Sequence, residues 1–398
     1  MSLNSTPNAD RIHIGIFGRR NVGKSSVINA ITNQNLAIVS AVEGTTTDPV
    51  SKAMELLPLG AVVIIDTAGI DDQGTLGEMR VKKTYQVLNK TDIALLVVDS
   101  TVGMTDFDRD VLAKIQEKSI PYLIVYNKAD VSGVNIRSEH EISVSAVTRE
   151  NIHELKECIA RIVPKHIADY PIIADKVTNG DIVIMVIPID KSAPKGRIIL
   201  PQQNTLRELL DSGCRVMVCR ESELEESLSA LRTLPKYVIT DSQVFRKIAD
   251  IVPENICLTS FSILFARHKG NLAELVSGVT ALDKLKDNDT VLISEGCTHH
   301  RQCGDIGTVK LPNWILKHTG KNIRFAFTSG TEFPDDLSPY AMIIHCGGCM
   351  LNEREMKYRI RCAKDNHVPI TNYGMTIAYV NGILKRSLEI FPEIHSIL

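Results

Sequence analysis

The sequence predicts an α/β protein, with a mostly parallel, doubly wound sheet over residues 11–166 and two further α/β segments after it. Three observations carry that reading. Apolar runs of strand length, Ile12–Phe17, Val62–Asp66, Ile93–Asp99 and Pro121–Asn127, alternate with helix-like patterns. A loop from Gly18 to Ser25 joins the first run directly to the helix-like Ser26–Ile31. The alternation then resumes at Asp181 and continues to the end of the chain.

Composition bounds the function classes. The chain of 398 residues is long enough for two or three cores. A formal charge of −2 with 5% aromatic residues argues against a broad nucleic-acid surface. No apolar run approaches the roughly 20 residues that cross a bilayer, so no membrane partner is expected. Met1–Asp10 is polar, lacks an apolar signal core and reads as a flexible N-terminus, which points to a cytoplasmic address. Nine cysteines are too few for a disulfide framework at this length, so their spacing matters more than their number.

The stretch Gly18-Arg-Arg-Asn-Val-Gly-Lys24-Ser25 has the spacing of a phosphate-binding P-loop between strand and helix. Backbone N–H groups from Gly18 through Asn21, Val22 and Gly23 to Ser26 can converge on a β-phosphate. Lys24 reaches the β/γ oxygens, and the Ser25 hydroxyl can hold Mg²⁺. A glycine turn that binds nothing is the bland alternative, and the fragments that follow tell against it. Asp66-Thr-Ala-Gly69 ends the second run: its aspartate is placed to hold Mg²⁺ through water, and the Gly69 N–H can sense a γ-phosphate. Asn127-Lys128-Ala-Asp130 ends the fourth, where the Asp130 carboxylate can accept N1–H and N2–H of guanine, a pairing that adenine lacks. Ser145-Ala146, after the short strand Ile142–Val144, is expected to close the base pocket with a backbone N–H to guanine O6. Four such fragments in order make a GTPase domain with GTP or GDP as ligand.

This half resembles the translation-factor-like GTPases, and within them the Era/TrmE-like branch, whose Gly-Thr-Thr switch it shares at Gly44-Thr-Thr-Thr47. The resemblance implies that Thr46 caps Mg²⁺ in the triphosphate state. Ile70 stands where Ras-like proteins carry a water-orienting glutamine, so unaided hydrolysis should be slow. Asn21 resembles the potassium-coordinating asparagine of the TrmE branch, which implies K⁺ at the phosphates. Glu78 lies at the spacing where that branch places a water-orienting acid, although a solvated helix-face carboxylate fits it equally. Arg19 and Arg20 read as ordinary loop charges rather than catalytic fingers.

A helix-like pattern from Glu150 to Val163 closes this domain, and residues 167–180 read as a linker. In residues 181–262, strands are expected at Ile182–Ile189, Arg215–Cys219, Tyr237–Thr240 and Ile256–Thr259. Helices are expected at Thr205–Asp211, Glu221–Arg232 and Gln243–Ile251. No nucleotide or metal motif appears there. Cys214 and Cys219 read as buried small hydrophobes, and the module as an oligomerisation surface.

Residues 263–398 carry the remaining chemistry. A helical segment, Phe261–Leu285, leads to the strand Asp289–Ser294, followed at once by Glu295-Gly-Cys297-Thr-His299-His300. The strand Tyr340–Ile344 is followed at once by His345-Cys346-Gly-Gly-Cys349. If the two strands are parallel, three cysteines and up to three histidines meet on one rim. A dithiol redox pair would use only Cys346 and Cys349. A structural zinc site of three cysteines and a histidine is feasible. An iron–sulfur cluster on three thiolates fits as well on chemistry alone. Cys303 lacks a motif, and Cys362 lies on a helix-like stretch and reads as structural.

A TrmE-like GTPase followed by Cys-x-His, a long spacer and His-Cys-x-x-Cys resembles the FeFe-hydrogenase maturation GTPases. Ala193-Pro-Lys-Gly-Arg-Ile-Ile-Leu-Pro-Gln202 is similar to that family too. The resemblance implies a dimerisation domain at 181–262, giving a homodimer, and a 4Fe–4S cluster on Cys297, Cys346 and Cys349. His299, His345 or Asp305 are then candidates for the fourth ligand. It further implies a scaffold or carrier for a di-iron precursor as cargo, built with two radical-SAM maturases and delivered to the hydrogenase apoprotein. The alternatives are an Era-like RNA or ribosome-assembly GTPase with a zinc-bearing tail, and a redox enzyme using Cys346 and Cys349. The first alternative lacks a Gly-x-x-Gly loop in a basic setting.

Overall fold

The computed structural model describes residues 8–33, 50–67, 84, 86–163, 170–189, 198–296, 305–330, 332–334, 336–348 and 351–395. Two compact units divide the chain, 1–166 and 167–398. No helix among the described residues is long and apolar enough to cross a membrane.

The first unit is built on a six-stranded sheet of order β2-β3-β1-β4-β5-β6. Its strands are β1 (Ile12–Phe17), β2 (Val50–Leu56), β3 (Gly60–Asp66), β4 (Ile93–Asp99), β5 (Tyr122–Asn127) and β6 (Glu141–Ser143). All are parallel except β2, which runs antiparallel to β3 along the edge. Every residue of β4 is buried, as a central strand covered on both faces requires. The sheet separates two apolar layers. Ile14, Ile16, Leu95 and Val97 pack on one face with Val27, Ile28 and Ile31 of α1 (Lys24–Thr32) and Ile152, Leu155 and Ile159 of α3 (Ile152–Ile162). Phe17, Leu96 and Val98 pack on the other with Val111 and Ile115 of α2 (Asp106–Glu117).

The second unit contains two four-stranded, all-parallel sheets. The first has order β10-β9-β7-β8, from β7 (Ile182–Val186), β8 (Arg215–Cys219), β9 (Tyr237–Thr240) and β10 (Cys257–Ser260). Around it lie α4 (Leu200–Asp211), α5 (Leu224–Ser229) and α6 (Phe245–Ile251). The second has order β12-β11-β13-β14, from β11 (Thr290–Ser294), β12 (Arg324–Thr328), β13 (Met342–His345) and β14 (Ile370–Asn372). With it go α7 (Phe261–Lys269), α8 (Leu272–Val279), α9 (Leu311–Thr319), α10 (Glu353–Asp365) and α11 (Tyr373–Val380). One continuous core runs from Ile172 through both sheets to Phe391.

Two expectations change. The linker expected at 167–180 is, from Ile172 onward, folded onto the second unit. Ile172 and Ile173 are buried, and the N–H groups of Ile172, Ile173 and Ala174 donate to the Glu208 carboxylate at 3.1, 2.7 and 2.7 Å. Asp175 pairs with Arg267 through two bonds of 2.9 and 2.5 Å. Proline and sparse periodicity suggested a linker, whereas these carboxylate contacts give the irregular backbone its partners. The helical segment expected at Phe261–Leu285 is helical in pieces, divided at Gly270–Asn271, where the Asn271 side chain accepts the Glu274 N–H and caps a new helix.

That new helix, α8, lies hard against β14: a Cβ on Gly278 would fall 2.0 Å from the Ile370 carbonyl oxygen. We expect Gly278→Ala to destabilise the second unit by about 1–3 kcal/mol, the usual cost of forcing volume into a packed contact. Thermal denaturation followed by circular dichroism checks this. An unchanged transition would mean that helix and strand separate freely.

Candidate functional site

In the first unit the phosphate loop is held by its neighbours. Gly18 (φ +143°) passes so near the Val97 carbonyl that a Cβ would lie 2.4 Å from its oxygen. A Cβ on Gly23 (φ +90°) would lie 2.3 Å from Asn127 Nδ2. Only glycine allows both the backbone conformation and the approach. Asn21 sits between them at φ +60°, a region asparagine tolerates better than most residues. Lys24 Nζ donates to the carbonyls of Gly18 (2.9 Å) and Arg19 (2.8 Å), which holds its ammonium across the loop.

Beside it, Ser25 Oγ donates to Asp66 Oδ2 at 3.3 Å. Asp66 Oδ1 is buried with no hydrogen-bond partner among the described residues. Burial raises the Asp66 pKa, while the Lys24 charge and the Ser25 hydrogen bond pull it back. A buried carboxylate oxygen without a partner, next to a serine hydroxyl, is the oxygen-donor chemistry that Mg²⁺ takes. Ser25 and Asp66 therefore fit the ion.

The base side is joined to the phosphate side through one amide. Asn127 Nδ2 donates to the Val22 carbonyl at 3.0 Å, and Asn127 Oδ1 accepts the Ala146 N–H at 3.1 Å. Ser145 Oγ donates to Asp130 Oδ1 at 2.6 Å, which orients the exposed aspartate from a fully buried serine. The Ser145 N–H donates to the Glu150 carbonyl. Both loop amides are thus engaged by protein, and the expected contact to guanine O6 requires Ala146 N–H to exchange Asn127 for the base. Lys128, at φ +72°, pairs with Asp99 at the end of β4. Burial pushes the Asp99 carboxyl up, but hydrogen bonds from Lys128 and Thr101 outweigh it and hold the pKa below the ordinary value. Asp99 was legible only as a strand end. Arg19 is tied by Nε to the buried Asp108 at 3.2 Å, in keeping with a structural loop charge. Thr46, Gly69 and Glu78 lie outside the described residues.

In the second unit, β11 and β13 are parallel neighbours with Ser294 opposite His345. Glu295-Gly296 and Cys346-Gly347 therefore leave the same sheet edge at the same level. The Gly296 N–H donates to Cys346 Sγ at 3.0 Å, so the two loops meet through a sulfur-directed hydrogen bond one residue before Cys297. Gly348 stands at φ +63°, a backbone conformation that glycine adopts without strain. A cysteine sulfur already accepting a backbone N–H, at the edge where a second cysteine-bearing loop begins, is the soft donor chemistry that suits a cluster. Cys297, His299 and Cys349 lie outside the described residues.

His345 is placed differently from expectation. It is the last residue of β13 rather than the first of the loop, and it is fully buried. Its Nε2 lies 2.9 Å from Arg359 Nη1 and its Nδ1 2.7 Å from the Cys346 carbonyl, so neither ring nitrogen offers a lone pair to a metal here. Asp305 Oδ2 accepts the Thr308 N–H and hydroxyl at 2.9 and 3.0 Å, capping the turn Ile306–Lys310. The structure adds Glu295, which the sequence marked only by its place before Cys297. Tyr373 Oη donates to Glu295 Oε1 at 3.2 Å. Burial, then the charges of Glu295, Cys346 and Asp305, push that phenol far above its ordinary value.

Comparisons with known proteins follow the same division. Residues 13–128 match the 50S ribosome-binding GTPase family, 172–270 the hydrogen maturase F dimerization domain, and 273–390 the hydrogen maturase F tetramerization domain. The tRNA modification GTPase MnmE of Nitrosomonas europaea is 35% identical over 158 residues, covering 38% of this chain and 34% of that protein. GTPase Der of Wolinella succinogenes is 34% identical over 168 residues, covering 38% and 36%. This chain thus spans about a third of the length of the curated relatives it matches. Among solved structures, Era of Aquifex aeolicus aligns at 20% identity with a TM-score of 0.35, over 52% of this chain and 92% of that one.

The base-side geometry generates a test. Asp130→Asn places an amide NH₂ against guanine donors, so discrimination against other bases should fall steeply, by up to about 10⁴-fold. Competition binding of GTP, XTP and ATP measures it, and an unchanged preference for GTP would remove Asp130 from base recognition.

Proposed function

We propose, for a chain that belongs by its dimerization and tetramerization domains to the hydrogen maturase F family, a GTP-hydrolysing scaffold or carrier for the di-iron subcluster of FeFe hydrogenase. In this reading a 4Fe–4S cluster sits on Cys297, Cys346 and Cys349, and two radical-SAM maturases and the hydrogenase apoprotein are the partners. The observation that supports it best is the Gly296 N–H on Cys346 Sγ, which draws the two cysteine-bearing loops onto one sheet edge. The oligomer is proposed to include a dimer through residues 172–270.

In the first unit, Lys24 spreads positive charge over the β/γ oxygens of GTP, and Ser25 and Asp66 would hold Mg²⁺. Asp130 selects guanine while Asn127 locks the base loop to the phosphate loop. Ile70 is apolar and cannot orient water, so we propose that Asn21 recruits K⁺ to the phosphates and that Glu78 orients the attacking water. In the second unit, Cys297, Cys346 and Cys349 would hold three corners of the cluster. When bound, such a cluster supplies one iron with an exchangeable position at which a second iron unit can be attached. Turnover is read as a switch for cargo handling rather than as metabolic chemistry.

Two experiments test this reading. Lys24→Ala should abolish GTP hydrolysis yet leave iron and sulfide content after anaerobic reconstitution unchanged. Cys297→Ser, Cys346→Ser or Cys349→Ser should each lose most of the cluster while Cys303→Ser keeps it. Full retention in Cys297→Ser, or stoichiometric zinc in place of iron, would overturn the cluster. Separately, hydrolysis should run several-fold faster in KCl than in NaCl at equal ionic strength, and Asn21→Ala should erase the difference. Equal rates in both salts would remove K⁺ from the mechanism.

A further inference from the structure

Arg359 of α10 is among the largest side chains with no exposed surface, an unusual place for a guanidinium. Its Nε donates to Glu355 Oε1 at 2.9 Å, and that carboxylate side chain is itself only 4% exposed. Nη1 donates to Ser294 Oγ at 3.1 Å and to His345 Nε2 at 2.9 Å. Nη2 donates to the Gly330 carbonyl at 2.9 Å, and the guanidinium lies 5.2 Å from the centre of the Phe333 ring.

Three of these partners, Ser294, His345 and Gly330, lie at or just past the ends of adjacent strands. Ser294 ends β11 and His345 ends β13, and they are register partners. Gly330 follows β12, whose last residue, Thr328, donates its hydroxyl to the same Ser294 Oγ at 3.0 Å. One side chain thus ties the ends of three adjacent strands, two of which lead directly into the cysteine loops. A guanidinium can only donate, so His345 Nε2 must carry a lone pair and the proton must sit on Nδ1. Nδ1–H then donates to the Cys346 carbonyl at 2.7 Å, while Cys346 Sγ accepts from Gly296. The chain of bonds runs from Arg359 through His345 to the backbone of a cysteine and, across it, to the other loop.

A buried ion pair is a poor source of stability, because apolar residues of similar volume commonly do as well. What a five-donor fork supplies that apolar residues and lysine lack is fixed geometry between several acceptors. We propose that Arg359 is the positioning residue of the cysteine centre, holding the ends of β11 and β13 in register and keeping His345 as a strut behind Cys346 rather than a metal ligand. This rests on the reading of Cys297, Cys346 and Cys349 as cluster ligands.

The test uses the full chain, reconstituted anaerobically with iron and sulfide. Arg359→Lys keeps the charge but loses the fork. It should hold the cluster about 10–100-fold less tightly in competition with EDTA, the range by which metal affinity falls when a partner that orients a ligand is lost. Its reduction midpoint, followed by electron paramagnetic resonance, should shift as well. GTP turnover should not change. If the lysine variant melts early, Arg359→Met combined with Glu355→Met removes the staple without stranding a buried charge, and the same cluster loss is expected from it. Histidine ¹⁵N resonances of the cluster-free chain should place the His345 proton on Nδ1 in the native protein and lose that preference in both variants. Native retention and an unshifted midpoint in a folded variant would overturn the proposal and leave the cluster reading standing. A native chain that takes up no iron would overturn both.

Discussion

Each site in this chain is built where parallel strands run out. A parallel sheet aligns the carboxyl ends of its strands on one edge, where backbone groups and loop side chains are free to meet. Gly18, Asp66, Asp99 and Asn127 stand at or just past the ends of β1, β3, β4 and β5. Ser294 and His345 end β11 and β13, and the cysteine loops begin there. The phosphate loop and the loop that begins at Cys346 therefore leave their sheets by the same geometric device in separate units.

The two edges handle buried polarity in opposite ways. In the first unit Asp66 keeps an oxygen without a protein partner, a cost that a bound cation would offset. Around the cysteine edge the polar groups are engaged: Arg359, Glu355, His345 and Ser294 satisfy one another beneath the loops. An open oxygen suits an ion that arrives with a nucleotide and leaves with it. A closed network suits strand ends whose loops would, in the proposed reading, hold several thiolates in fixed relation.

Much of this was legible in the sequence, for physical reasons that differ by element. The parallel strands β4 and β5 announced themselves because burial on both faces demands nearly continuous apolar runs, and β1 did so despite His13. The strand β2, Val-Ser-Lys-Ala-Met-Glu-Leu, did not, since an exposed edge strand needs no such run. β12 and β14 are similarly short or partly exposed and carried no clear signal. The P-loop and base motifs singled out Lys24, Ser25, Asp66, Asn127 and Asp130 because recognition of phosphate and guanine would fix residue type and spacing together, and the structure sets Ser25 beside Asp66 and ties Asn127 to the phosphate loop. Arg359 was invisible: apart from Glu355, one turn away on α10, its hydrogen-bond partners lie 65, 14 and 29 positions away, and only the fold brings Ser294, His345 and Gly330 to it. His345 read as a loop ligand because a histidine beside cysteine suggests metal. One residue's shift in the strand end turned it inward instead.

The proposed function puts a GTPase domain and a cysteine-held iron–sulfur centre on one chain. The most direct measurement is metal analysis of the anaerobically prepared full chain, together with its visible absorption and the electron paramagnetic resonance of its reduced form. The account predicts a brown protein with matched iron and sulfide and a reduced-state signal that disappears in Cys346→Ser. A colourless protein carrying one zinc per chain, or iron that persists unchanged in Cys346→Ser, would contradict it.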